Sequence, residues 1–405
     1  MWIKPGRLDL TYCTNIHAGE SWDEVEQSIA SYALPLREHL APGQPFGIGL
    51  RLSAVAAEQM LTGERLDTFK AFLDQNGLYV AVINGFPYGS FHGDTVKSKV
   101  FAPDWRDPAR ARYTLNLAEI LGRLLPEGME GGVSTMPLSY KPWLEGAESE
   151  AWPAILDNLV DTVSALVRIR ATNGCMIHLD LEPEPNGLVE NVSELIEFFD
   201  GPVGSEAASR LAHRLSLSHH EARQYWLDHV RVCFDTCHMA IEFEDPIAAL
   251  EQLAARGIRI GRVQISSALR ALFDGSEAAR EQFTSQLAPF ADHVYLHQVI
   301  GRAADGTLTR YRDLGDALAA PHDDTPKEWR IHFHMPIFTE RYGTLLSTQE
   351  DNRRVLEAVM EGDITRHLEI ETYTWGVLPA PLKTDLRSSI EREFQWVLNE
   401  LCVKP

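Results

Sequence analysis

Short apolar runs of β type alternate along the chain with longer stretches whose apolar residues recur at helical spacing. The strand-like runs fall at residues 8–13, 47–52, 78–83, 132–137, 176–182, 230–235, 260–265 and 367–372. Helical patterns are expected near 22–40, 53–75, 108–125, 150–172, 189–199, 207–228, 246–256, 348–361 and 382–401. Ser21 followed by Glu24 is a capping-box signature that opens the first helix. Strand–helix alternation from end to end predicts parallel strands joined by helical crossovers. Eight such units suit a closed (β/α)₈ TIM barrel better than an open doubly wound sheet. The lack of a Gly-x-Gly-x-x-Gly turn after the first strand weakens a dinucleotide-binding reading further.

One stretch breaks this rhythm. The segment from Gln264 to Glu371 is about three times the length of one βα unit in a barrel of ~250 residues. It carries two extra strand candidates, at 293–299 and 330–336. The expected organisation is one α/β barrel over residues 1–405, with an insertion at about 270–345, between the last two barrel strands, at the catalytic face.

Charge narrows the partners. With 37 Lys+Arg against 58 Asp+Glu, the formal net charge of the 405-residue chain is −21. That disfavours nucleic acid and anionic membrane surfaces, both of which select basic proteins. No apolar run reaches the ~20 residues of a membrane helix, and the N-terminal residues lack a secretory pattern. Cys13, Cys175, Cys233, Cys237 and Cys402 are odd in number and scattered, which suggests free thiols and a cytoplasmic protein.

In a barrel, functional groups gather where strands end and βα loops begin. Glu182, Asp235 and Glu371 each close a predicted strand, and Gln264 stands in the strand between the last two. Carboxylates sharing one barrel mouth repel unless a cation neutralises them. Four oxygen donors suit a divalent ion in octahedral geometry, Mn²⁺ or Mg²⁺. Deeper on the same strand faces lie His178, Asp180 and Glu369, as supporting or packing groups. Asp235-x-x-His238 places an imidazole three residues beyond a carboxylate. It also fits an N-capping Asp followed by an incidental His.

The long segment adds His297, His332 and His334. Alternation puts His332 and His334 on one face. They are candidates for a second metal, or for replacing Gln264 as a ligand, and zinc is then expected in place of the harder ions because imidazole favours it. The bland alternative, a buried hydrogen-bonded imidazole in the pocket wall, is the preferred one for His332. Asn15 and His17, after the first strand, and Asn84, Phe86 and Tyr88, after the third, are candidates for lining a substrate pocket, as is Trp375. His213, His219 and His220 sit in a polar helical stretch and read as solvated.

These motifs together resemble the xylose-isomerase-like (AP endonuclease family 2 type) superfamily of metal-dependent barrels. The resemblance rests on Leu181-Glu182-Pro183, Asp235-Thr236-Cys237-His238, Gly261-Arg262-Val263-Gln264-Ile265 and Ile370-Glu371-Thr372. Gly-x-Val-Gln-Ile is similar to the strand of hydroxypyruvate isomerases in which the Gln binds metal. Leu181-Glu182-Pro183-Glu184-Pro185, Gln264-Ile265-Ser266-Ser267-Ala268-Leu269, Tyr295-Leu296-His297-Gln298, His332-Phe333-His334-Met335-Pro336 and Glu371-Thr372-Tyr373-Thr374-Trp375 resemble the EboE-type metabolite traffic proteins. Endonuclease IV shares such a barrel and a His pair, but the acidic charge disfavours a nuclease. The resemblance implies a metal-dependent isomerase, epimerase or lyase acting on a small hydroxy-carbonyl or sugar-like metabolite. In it, Glu182 and Glu371 are metal ligands and the proton-transfer pair, Asp235 and Gln264 are ligands, and His238 orients a substrate hydroxyl. The alternative is a non-catalytic protein that binds and delivers a metabolite, with partner proteins from the same biosynthetic cluster.

Overall fold

In the computed structural model of the protein, the residues described are 1–4, 8–93, 95–273, 277–320, 327–380 and 383–401. Cys402 lies outside them. Numbered along the chain, the first strands are β1 (Trp2–Lys4), β2 (Leu8–Tyr12), β3 (Phe46–Arg51), β4 (Leu78–Asn84), β5 (Gly131–Thr135), β6 (Ile177–Leu181), β7 (Val230–Asp235) and β8 (Ile260–Ile265). There follow β9 (Leu269–Leu272), β10 (Val299–Arg302), β11 (Leu308–Tyr311), β12 (Glu328–Ile331), β13 (Arg341–Tyr342), β14 (Leu345–Ser347) and β15 (His367–Ile370).

Sheet order is β1-β2-β15-β8-β7-β6-β5-β4-β3. All neighbours are parallel except β1, which folds back antiparallel on β2. A parallel bridge between Cys13 and Gly49 joins the ends of β2 and β3 and closes the ring of eight. The chain is a (β/α)₈ barrel. Every residue of the eight barrel strands is buried. Helices cover the outside and side chains fill the inside, which is why these strands read as near-continuous apolar runs.

The barrel interior is not wholly apolar. Arg262 on β8 donates from Nε to Asp180 on β6 (3.1 Å) and from Nη1 to Glu369 on β15 (3.1 Å). All three side chains are fully buried. Glycines on neighbouring strands make the room. A Cβ at Gly49 would lie 1.7 Å from a Glu369 oxygen, and one at Gly261 would lie 1.8 Å from an Asp180 oxygen. Glu369 therefore points inward, as a partner of Arg262.

Between β8 and β15 the chain builds a second, antiparallel sheet in the order β11-β10-β12-β9-β14-β13. Its strands differ from the two expected. The run 293–299 is strand only from Val299, because Asp292 Oδ1 accepts from the N–H groups of Val294 (2.6 Å) and Tyr295 (3.0 Å) and bends the chain. The run 330–336 leaves the sheet after Ile331, where the Phe333 N–H turns back to the Ile331 carbonyl. Side-chain alternation thus does not govern His332 and His334.

Helices match the apolar spacing, with two breaks. The capping box of Ser21 and Glu24 opens the helix Trp22–Leu40. The helix expected over 53–75 divides into Ala54–Met60 and Arg65–Gln75, with Gly63 at φ +65° between them. The one expected over 207–228 divides into Pro202–Leu215 and His219–His229. A left-handed Ser216 ends the former, and a Ser218–Glu221 capping box starts the latter. Among the described residues no helix is long and apolar enough to cross a membrane.

Candidate metal and substrate site

Glu182, Asp235 and Glu371 follow or end β6, β7 and β15, and the closed sheet brings them together at the C-terminal mouth. One carboxylate oxygen from each lies within 4.8 Å of the others. Asp235 uses Oδ1 as the cap of the helix Thr236–Ile241, accepting from the His238 N–H (2.9 Å) and from Ser266 Oγ (2.8 Å). Glu371 Oε1 accepts from Asn15 Nδ2 (2.8 Å) and Asn84 Nδ2 (3.1 Å). Asp235 Oδ2 and Glu182 Oε2 are buried with no partner. Buried carboxylate oxygens without donors are costly. Burial pushes the Glu182 and Glu371 carboxyls well above the usual range, and the neighbouring carboxylates push them further. A divalent ion among these oxygens removes that repulsion and satisfies the open lone pairs, so the donor set fits a metal.

Gln264 is fully buried on β8, register-paired with Asp235 on one side and Glu369 on the other. Its Oε1 accepts from Cys233 Sγ (2.9 Å) and its Nε2 has no partner. In this arrangement its carbonyl serves Cys233.

Three imidazoles meet beside the carboxylates. His238 Nδ1 donates to the Pro183 carbonyl (3.0 Å), His332 Nδ1 to Gln298 Oε1 (2.6 Å) and His334 Nδ1 to the Glu371 carbonyl (2.7 Å). The Gln298 amide is itself oriented, because its Nε2 donates to Glu184 and to the Pro185 carbonyl. With Nδ1 protonated, a neutral imidazole presents a lone pair at Nε2. Burial keeps His334 neutral, its pKa pushed down to about 4, and pushes His332 well below its ordinary value, with the neighbouring His238 and His334 adding to the shift. His332 Nε2 lies 3.1 Å from His238 Nε2 and 3.3 Å from His334 Nε2. Lone pairs at that separation repel each other unless a proton or an ion sits between them, and the Tyr373 hydroxyl lies 3.4 Å from His332 Nε2. Zinc–nitrogen bonds of about 2.0–2.1 Å at tetrahedral angles put two nitrogens about 3.3 Å apart. Asp235 belongs to this group too, with an oxygen within 4.8 Å of His238 and His334 nitrogens.

His297 stands behind this cluster. Its Nδ1 donates to the His332 carbonyl (2.7 Å) and its Nε2 meets Asp292 Oδ2 (2.5 Å). Both ring nitrogens are committed, so it buttresses His332 and offers no ligand atom.

The cavity over the site is lined at its floor by Asn15, Asn84, Glu182, Glu184, His238, His332 and Glu371, and higher up by Phe86, Phe91, Tyr295 and Tyr373. Its volume is about 50 Å³. Three expected pocket residues are turned away from it. His17 is stacked on Tyr32 (4.3 Å) and bonded to Tyr12 OH (3.1 Å), beneath the first helix. Tyr88 packs edge-on to Tyr113 (5.0 Å), and Trp375 lies against Phe338 (6.2 Å). In each case an aromatic neighbour outside the cavity packs against the ring, and at Tyr88 the Arg110 guanidinium also lies over the ring face (5.7 Å).

Glu184 and the triangle of Phe91, Tyr295 and Tyr373, with centroids 5.0–5.3 Å apart, were not singled out from sequence. Glu184 had a signal, since it follows Glu182 by two in Glu-Pro-Glu-Pro. Burial raises its pKa to about 7. The aromatic triangle joins segments far apart in the chain and left no local pattern.

No family model matches the sequence. A search of curated proteins returned no match. Among solved structures, the chain is similar to the IOLI protein with a bound zinc atom (12% identity, TM-score 0.46, 97% of this chain and 98% of that one). It is also similar to a xylose isomerase domain protein from Alicyclobacillus acidocaldarius (11%, TM-score 0.47, 97% and 99%). A third is AsbF from Bacillus anthracis, a probable 3-DHS dehydratase involved in petrobactin synthesis (11%, TM-score 0.44, 97% and 99%).

Proposed function

We propose that this chain is a divalent-metal-dependent enzyme that moves a proton on a small hydroxy-carbonyl or sugar-like metabolite, an isomerase, epimerase or related lyase. The observation that carries this reading is the set of Glu182, Asp235 and Glu371, with one oxygen of each within 4.8 Å of the others, and with Glu182 Oε2 and Asp235 Oδ2 buried without a partner. Glu182, Asp235 and Glu371 would hold one ion, and His238, His332 and His334 a neighbouring one with Asp235 between them. The imidazoles favour zinc over Mn²⁺ or Mg²⁺. When bound, such ions polarise adjacent oxygens of a substrate and make the neighbouring C–H acidic.

The residues divide the remaining work. Asn15 and Asn84 fix one Glu371 oxygen, so the other is presented in a defined direction. Glu182 and Glu371 would take a proton from one carbon and return it to the same or the next. Glu184, with its pKa near 7 and its place in the cavity wall, is suited to exchange a proton with a substrate oxygen. Phe91, Tyr295 and Tyr373, in the cavity wall, would limit the access of water to the reacting carbon.

The test is carbon-bound deuterium. Zinc-loaded protein is incubated in D₂O with a panel of short keto-sugars and aldoses, and label is followed by NMR. Incorporation at the carbon next to the carbonyl supports the enzyme. A compound that binds with saturable affinity yet takes up no deuterium and leaves unchanged would replace this reading with metabolite delivery, the function implied by the EboE-type resemblance.

A further inference from the structure

The opposite, N-terminal end of the barrel carries a second constellation that the proposed chemistry does not use. His178 on β6 and His367 on β15 are buried, with side chains 0% and 1% exposed. Each donates from Nδ1 to a carboxylate, His178 to Asp180 Oδ1 (2.5 Å) and His367 to Asp9 Oδ1 (2.8 Å). Each Nε2 has no partner at all. The rings face each other with centroids 6.2 Å apart. One nitrogen from each ring and one oxygen of Glu130 lie within 4.8 Å of one another.

Carboxylate–imidazole pairs of this kind fix the tautomer and raise the basicity of the free nitrogen, as they do behind metal-ligating histidines. Two buried imidazole nitrogens without a partner, on rings whose centroids lie 6.2 Å apart, call for a bound water or ion. Glu130 supplies the third, anionic donor. Its oxygens already accept from Arg231 Nη1 (3.0 Å) and Nη2 (3.1 Å), but each carboxylate oxygen has a second lone pair. Local charge does not forbid a cation. Asp9, Asp180, Glu130 and Glu369 are four carboxylates, whereas Arg231, Arg262 and Arg366 are three guanidinium groups. Glu130 and His367 also line a cavity of about 140 Å³ with Trp2, Glu127, Met129 and Arg366, which leaves room for further ligands.

We propose that the N-terminal end of the barrel binds one divalent transition-metal ion, zinc or a similar imidazole-preferring cation, through His178 Nε2, His367 Nε2 and Glu130. Two imidazoles and one carboxylate form a three-donor set with open positions facing the cavity. The ion pins β6 to β15 and the β4–β5 connection, so its role is to brace the ring from the end away from the catalytic mouth. This site does not depend on the function proposed above.

Crystals of the full chain soaked in zinc, with anomalous scattering measured on both sides of the zinc edge, read this site directly. The expected result is an anomalous peak bonded to both Nε2 atoms, separate from any peak among Glu182, Asp235 and Glu371. Glu130→Gln lies at a partly exposed position and keeps an oxygen for Arg231. It should weaken zinc at this site about tenfold or more while leaving the density at the other end in place. His367→Gln should lower total bound zinc by one ion per chain. Density between the rings with no anomalous signal, at saturating zinc, would mean a water occupies the position and would overturn the proposal. So would equal zinc content in the parent and in folded His367→Gln.

Discussion

His238 and His332 face one another through Nε2 atoms 3.1 Å apart, although the Nδ1 of each already donates to an oxygen. In the two-ion reading proposed above, this pair receives the zinc ion. His332→Gln should reduce zinc affinity by about tenfold or more, because an amide is a poorer donor than imidazole. Competition with a chromophoric chelator measures it. Unchanged zinc affinity would show that the imidazoles only line the pocket.

Ligand and proton carrier can be separated at the carboxylates. Glu371→Gln should weaken the metal and abolish deuterium exchange, since an amide carries no charge and accepts no proton at neutral pH. Asp235→Asn should chiefly weaken the metal, and excess metal should restore part of the exchange. Full exchange by folded Glu371→Gln would remove that residue from the proton pathway.

Asn15 and Asn84 act through Glu371. Replacing either with Ala removes one hydrogen bond to Oε1 and should cost about 10–100-fold in metal affinity or turnover, with the fold retained. Circular dichroism alongside metal titration checks this. Loss of binding without loss of structure is expected.

The sequence carried the barrel because its strands are buried on both faces and so read as apolar runs, and because Glu182, Asp235 and Glu371 sit at the ends of those runs. The meeting of His238 with His332 and His334 was less legible. His332 and His334 follow a strand that stops at Ile331, and their direction is set by Gln298 and by the Glu371 carbonyl, contacts distant in sequence. For the same reason His17 and Trp375, suited by type to a pocket, lie outside it. Their neighbours Tyr32 and Phe338 are invisible to local spacing.

Glu393 gives a pH prediction. It is buried and accepts from Thr372 Oγ1 (2.6 Å) and the Ile337 N–H (3.2 Å), next to the strand end that bears Glu371. Burial raises its pKa from 4.5 to about 8. A carboxyl held protonated in the folded state contributes its full stability below pH 4.5. That contribution declines as the unfolded chain ionises, until the folded group ionises too near pH 8. Glu393→Gln keeps the accepting oxygen and cannot ionise. Its melting temperature relative to the parent should rise steadily from pH 4.5 to 8 and level off above. A difference independent of pH would show that Glu393 is not held protonated.

Arg262 ties Asp180 to Glu369 and also donates to the carbonyls of Ile83 and Gly132. Removing it leaves two buried carboxylates without their cation. Arg262→Met should therefore cost about 3–5 kcal/mol, read from the denaturant midpoint. Replacing all three, with Asp180→Asn and Glu369→Gln added, removes the stranded charges and should recover part of the loss, because the larger penalty lies in unpaired charge and not in the missing ion pair. Gly49→Ala tests the same space from the other side. Its new methyl would collide with the Glu369 carboxylate and also lie 3.1 Å from the Tyr12 carbonyl oxygen. The Ala variant should be destabilised in the parent and less so when Glu369 is shortened to Ala. Equal destabilisation in both backgrounds would mean that Gly49 is needed for the backbone and not for the buried ion pair.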